Sequence, residues 1–208
     1  PGSYRYHENP RIWYDRQNNV DITLDDDGQD IYTAAYGGAI RFREGSCYVT
    51  QSWPEAIDVD DNITPRSWEV WARPTNVSSR DGIFGHKAGS GCSYYCNGGI
   101  FINNGQWSFN WYDNSSYRFL DSGVTAVNGE YAHVVCTFDR DAIPRIYVNG
   151  VLRATYSGTT NMNYSSGMEI VNIGYNDKDG GQHYFEGEIA ICRFYKDIGL
   201  REIGAKQN

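Results

Sequence analysis

Two carboxylates two residues apart, Glu186 and Glu188 in "FEGEIAI", and an acidic run, Asp58, Asp60 and Asp61 in "DVDDN", are the groups whose spacing comes nearest to glycosidic hydrolysis. Retaining hydrolysis needs a general acid and a nucleophile on one strand face, their carboxyls about 5–5.5 Å apart. "FEGEIAI" supplies Glu186 and Glu188 but no run of three alternating carboxylates, and "DVDDN" lies in a proline-flanked stretch that does not read as a strand. The four histidines, His7, His86, His133 and His183, are scattered, and no Gly-x-Ser-x-Gly elbow provides a serine nucleophile. "GSGC" is not followed by Lys-Ser/Thr, so it reads as a turn and not as a phosphate cradle. No catalytic set is expected.

Binding chemistry is better represented. Sugar recognition uses an aromatic face with amide and carboxylate partners. "NNGQWSFNWYDN" supplies Trp107, Trp111, Tyr112, Asn110 and Asp113. Alternation puts Trp107, Phe109 and Trp111 on one face, most simply the core, and Ser108, Asn110 and Tyr112 on the other. Tyr94, Tyr95 and Trp53 are further candidates for exposed aromatics, so the carbohydrate-binding set is Tyr94, Tyr95, Asn110, Tyr112, Asp113 and Trp53. Two acidic loops offer hard oxygen ligands for a divalent cation: "LDDDGQD" (Asp25, Asp26, Asp27, Asp30) and "NDKDGG" (Asn176, Asp177, Asp179). The Asp-x-Asp-Gly pattern lacks the terminal glutamate of a calcium loop, and solvated turns capped by their own Asx side chains explain it as well.

The chain has 5 cysteines. Cys136 and Cys192 sit in apolar strand patterns and read as small buried hydrophobes. Cys92 and Cys96 bracket "SYY" in a glycine-rich turn, where a local disulfide could form. A zinc site would need a second ligand pair, and none is evident. Sequons at Asn62, Asn76, Asn114 and Asn163 point weakly to a glycosylated secreted protein.

These residues must be positioned by a chain of 208 residues, with 23 Gly, 17 Tyr and 6 Trp, a composition that suits one all-β domain. A net charge of −8 and a pI near 4.9 argue against nucleic acid and against anionic membrane surfaces as partners. No run approaches the roughly 20 apolar residues that span a bilayer. The first residues, "PGS", read as a tag remnant, residues 4–36 as lead-in strands, and 1–208 as one domain.

Period-two alternation is the dominant local signal. "SWEVWARP" sets Trp68, Val70 and Ala72 against Glu69, Trp71 and Arg73, and "AHVVCTFD" sets Val134, Cys136 and Phe138 against Val135 and Thr137. Asn103-Asn104-Gly105 and Asn149-Gly150 read as hairpin turns, since Asn and Gly tolerate positive φ. Loops are expected at 25–30, 54–66 and 176–183, and a short helix in "IGLREIGAKQ". The class is an antiparallel two-sheet β-sandwich with a short C-terminal helix.

Five segments in order resemble the laminin-G-like jelly roll of the concanavalin A-like lectin/glucanase group: "GGAIRFREGSCYVT", "SWEVWARP", "GIFGHKAG", "YAHVVCTFDRDAIPRIYVNGVL" and "IVNIGYN…YFEGEIAICRFYKDIGLREI". The resemblance runs from about Trp13 to Ile203. It implies a concanavalin A-like jelly roll in which His133 packs beside its strand. The related glucanases carry a Glu-x-Asp-x-Glu strand, which this chain lacks. Acidic positions that the family often uses for calcium are replaced here by "REGSCYV" and by Ala190, so a family-type calcium site is in doubt. Calcium at Asn176, Asp177 and Asp179 is the one cofactor candidate, and otherwise no cofactor is expected. "RIWYDRQNNVDITL" is similar to a lead-in of such domains in bacteriophage structural proteins.

The resulting expectation is a non-catalytic module on a virion surface, as capsid decoration or a fibre or tail domain. Its expected partners are a host-surface carbohydrate and other virion proteins, with no nucleic acid or membrane, and the oligomeric state is open. The alternatives are a secreted carbohydrate-binding or adhesion domain and, third, a polysaccharide-active enzyme.

Overall fold

Backbone alternation in this chain closes into two stacked antiparallel sheets. The computed structural model describes residues 12–13, 21–24, 32–34, 38–43, 49–52, 64–77, 80–87, 96–113, 115–161, 170–176 and 183–200. In chain order the first strands are β1 (Ile12–Trp13), β2 (Ile22–Thr23), β3 (Tyr32–Thr33), β4 (Ala39–Phe42), β5 (Val49–Ser52) and β6 (Arg66–Pro74). There follow β7 (Asp81–Lys87), β8 (Cys96–Asn103), β9 (Gln106–Tyr112), β10 (Tyr117–Thr125), β11 (Ala132–Phe138) and β12 (Pro144–Val148). The last are β13 (Val151–Thr155), β14 (Ile170–Ile173), β15 (Tyr175–Asn176), β16 (His183–Tyr184) and β17 (Gly187–Lys196).

One sheet has 6 strands in the order β10-β9-β8-β7-β14-β5, the other 7 in the order β13-β12-β11-β6-β17-β4-β3. Two small pairs, β1–β2 and β15–β16, flank them. The expected two-sheet sandwich of jelly-roll type is the fold found.

The facing sides of the two sheets make one core. Trp68, Val70 and Ala72 from β6, Val134, Cys136 and Phe138 from β11, and Trp107, Phe109 and Trp111 from β9 are buried in it, as their alternation predicts. Trp68 is the centre. Its ring stacks on His86 at 5.3 Å and meets Phe109 at 5.3 Å and Phe194 at 5.4 Å. Gly98 lies under this stack, where a Cβ would come within 3.0 Å of the indole. Burial and the nearby Arg66 charge hold His86 well below the usual imidazole range, so it serves the core as a neutral ring.

Both predicted hairpins form. Asn104 and Asn149 take left-handed φ of 50° and 53°, as the tight turns β8–β9 and β12–β13 require. Asn149 does more than tolerate that angle: its side-chain oxygen accepts from the His133 backbone N–H at 3.0 Å, pinning the turn to β11.

Several expectations are corrected. No helix occurs among the described residues, and 197–200 carry no regular structure. Ser67 replaces helical bonding there: its hydroxyl donates to Ile198 O and accepts from Leu200 N, drawing the segment across the outside of the sheet. Residues 201–208 lie outside the described residues. Arg66 belongs to β6 and not to the preceding loop, because its stem packs into the core with the guanidinium 5.3 Å above the Phe138 ring. The ends of the 176–183 stretch pair as β15–β16. The segment "GGAIRFREGSCYVT" spans both sheets: β4 joins β17 and β5 joins β14. Ala190 sits at the bulge between Ile189 and Ile191.

Candidate functional site

The outer face of the 6-stranded sheet carries the side chains that alternate with the core tryptophans. Antiparallel register sets Tyr112 opposite Tyr117, Asn110 opposite Phe119 and Ser108 opposite Asp121. Three half-buried rings therefore run in a strip. Tyr112 and Tyr117 meet edge-on at 5.8 Å, and Tyr117 and Phe119 are 6.3 Å apart. Beyond Phe119 the Arg80 guanidinium lies over the ring at 5.1 Å. Arg80 donates to the Asn103 side-chain oxygen at 3.2 Å, and Asn103 donates in turn to the exposed carboxylate of Asp121 at 3.2 Å. The strip thus combines apolar ring faces with charged and amide groups at one end.

Beneath it, Asn110 is fully buried. Its side-chain oxygen accepts from the Ser108 hydroxyl at 3.0 Å, while its amide nitrogen has no partner among the described residues. Asp113 lies at the other end and is spent on its own turn. Its oxygens accept from the backbone N–H of Ser115 and Ser116, the Ser115 hydroxyl and the Arg118 guanidinium. Burial raises this carboxyl, but the bonds from Ser116, Arg118 and Ser115 outweigh it and hold the group well below the usual carboxylate range.

Of the expected sugar-binding residues, Asn110, Tyr112 and Asp113 fall along this one sheet edge, whereas Tyr94, Tyr95 and Trp53 lie outside the described residues. So do Asp177, Asp179 and Cys92; Asn176 and Cys96 are placed by backbone alone, at β15 and the start of β8. Among the described residues no group of three or more His, Cys, Asp or Glu could hold a metal ion. Cys136 and Cys192 are free thiols, as their apolar surroundings imply, and burial pushes both well above the usual range.

Sequence reasoning did not find Tyr117, Phe119 and Arg80. The alternation in "SYRFLD" was the available signal, but only the β9–β10 register shows that it extends the Tyr112 face.

A second polar network occupies the outer face of the 7-stranded sheet. Glu69 is fully buried there, 2.9 Å from His133 Nε2. Arg193 donates to both of its oxygens at 3.2 Å, and the Tyr195 hydroxyl donates at 2.5 Å. Burial raises the Glu69 carboxyl, but His133, Tyr195 and Arg193 together bring it below its ordinary value. Burial and the neighbouring Glu69 push the Tyr195 hydroxyl up to about 12. His133 stacks flat on Trp71, 5.0 Å away. Farther along the same face, Arg73 donates from Nε and Nη2 to Glu188 at 3.1 and 2.8 Å, and the Tyr131 hydroxyl donates to the same carboxylate at 3.0 Å. Glu188, read above for hydrolytic chemistry, is thereby enclosed by donors.

Comparison with known proteins places this architecture. The family model Laminin_G_3, described as the concanavalin A-like lectin/glucanases superfamily, matches residues 44–198. No curated protein sequence matches the chain. Among solved structures, domain 4 of AbnA, a GH43 extracellular arabinanase from Geobacillus stearothermophilus in complex with arabinotriose, superposes with a TM-score of 0.63 at 16% identity. That alignment covers 89% of this chain and 80% of that one. The CBM40 of Ruminococcus gnavus IT-sialidase, bound to α2,3-sialyllactose, gives 0.62 at 14% identity, covering 81% and 95%. The NanB sialidase of Streptococcus pneumoniae gives 0.61 at 13% identity over 83% of this chain and 27% of that one.

Proposed function

The chain belongs to the concanavalin A-like lectin/glucanases superfamily, and from that premise we propose that it is a non-catalytic carbohydrate-binding module whose ligand lies along the Tyr112–Tyr117–Phe119 strip. The observation that carries this reading is the strip itself: three rings share one outer face, with Arg80 and Asp121 within reach of sugar hydroxyls. Stacking binds the apolar face of a sugar ring, and the charged groups orient its hydroxyls. The arabinotriose and sialyllactose seen with two structures of the same fold support saccharide as the ligand class. Each contact is weak, so copy number on a surface would supply strength through avidity.

A glycan array of the full chain tests it. Tyr112→Ala and Tyr117→Ala are each expected to weaken the bound glycan about tenfold, the equivalent of about 1.4 kcal/mol, with unchanged melting temperature. A blank array, or unchanged binding by both variants, sinks the reading. The lead-in "RIWYDRQNNVDITL" supports display of this module on a phage particle. Mass spectrometry of purified particles is expected to find the protein there, and particles lacking it would favour the secreted adhesion domain.

A further inference from the structure

Charge on the outer face of the 7-stranded sheet is layered. Among the described residues, the carboxylates of its ion pairs are sunk: the side chains of Glu69, Glu188 and Asp139 are 0%, 3% and 7% exposed. The guanidiniums that cover them are open, with Arg193 at 44%, Arg41 at 45% and Arg73 and Arg145 each at 23%. Solvent therefore meets arginine, although the whole chain carries −8.

Arg41 and Arg193 are the most exposed of these four. Arg193 meets Glu69 through Nη1 and has the Tyr195 hydroxyl beside it, while Arg41 meets Glu188 at 3.7 Å, beyond hydrogen-bond distance. Register places Arg41, Glu188 and Arg73 in one row and Glu69 with Arg193 in another, four residues along β6. At strand rise the two cationic positions are about 13 Å apart. Trp71 lies midway, half-buried and backed by His133, with its indole N–H buried and without a partner among the described residues.

We propose that this face, bounded by Arg41, Arg73, Trp71 and Arg193, is a second saccharide-binding surface that takes an acidic oligosaccharide with widely spaced carboxylate or sulfate groups. Guanidinium forks match both anions, and an indole between them suits a sugar ring. Nucleic acid fits poorly, because duplex DNA carries a charge every ~1.7 Å of axis and meets here an acidic protein with two separated cationic positions. The surface lies on the opposite side of the sandwich from the tyrosine strip and is independent of it.

Titration calorimetry of the full chain, with oligogalacturonate, a dextran sulfate oligomer and neutral dextran, tests the proposal. One or both anionic probes are expected to bind, with affinity falling as salt rises, and the two arms tell carboxylate from sulfate. Arg41→Gln and Arg193→Gln should each weaken that binding about tenfold, while Tyr112→Ala leaves it unchanged. Arg41→Gln keeps the test open should loss of the Glu69 partner unfold the Arg193 variant. Three outcomes overturn the proposal: neither anionic probe binds, Arg41→Gln binds as the parent does, or single-stranded DNA binds as tightly as the oligosaccharides. Loss of anionic binding in Tyr112→Ala would also overturn it, by merging the two surfaces into one. A blank glycan array for the tyrosine strip leaves these readouts intact.

Discussion

Burial and partnering pull Glu69 in opposite directions, and partnering wins. Its folded value lies below the ordinary carboxylate value, so the unfolded chain binds the proton more readily. The stability it contributes is full above the unfolded value, about 4.3, and is lost as pH falls through the lower folded value. Glu69→Gln keeps the shape but removes the charge that Arg193, His133 and Tyr195 all address. It is expected to cost about 2–3 kcal/mol at neutral pH and to flatten the acid side of the stability profile. Urea melts from pH 3 to pH 7 measure both. An unchanged acid limb would mean that the network is structurally idle.

At the scale of the element, the two tight hairpins form a natural control. Asn104 and Asn149 share the left-handed backbone, but only Asn149 also bonds back to a neighbouring strand, at His133. Alanine at either position has to bear the positive φ. Asn149→Ala loses a hydrogen bond besides, and should be less stable than Asn104→Ala by about 1 kcal/mol. Equal melting temperatures for the two variants would remove the pin. A harsher case is Gly174, between β14 and β15, with φ of 70° and a place for Cβ only 2.1 Å from the Phe42 ring. No side chain fits there without displacing Phe42 from the core.

For the molecule as a whole, one core holds both sheets. Cys136 in that core and Cys192 packed against it flank β6, and burial makes both thiols poor thiolates. Alkylation of the native protein should leave these two peptides unmodified, and labelling should appear only as denaturant unfolds the sandwich. Rapid native labelling of Cys136 would show that the sheets separate locally, against a single shared core.

Local chemistry determined a good deal from the sequence alone. Which residues of β6, β9 and β11 face inward follows from their alternation, and the two Asn-containing turns follow from which residues tolerate positive φ. The free thiols at Cys136, buried, and Cys192, partly buried against the core, were legible for the same reason. The tertiary structure decided what depends on register between distant strands. It inserts β14 between β7 and β5 and β17 between β6 and β4, carries Tyr117 and Phe119 beside Tyr112, and brings His133 to Glu69 across 64 residues. Alternation says which face a side chain takes, but not which strand lies next to it. That neighbour is chosen by closure of the whole core, a long-range condition that no short stretch of sequence carries.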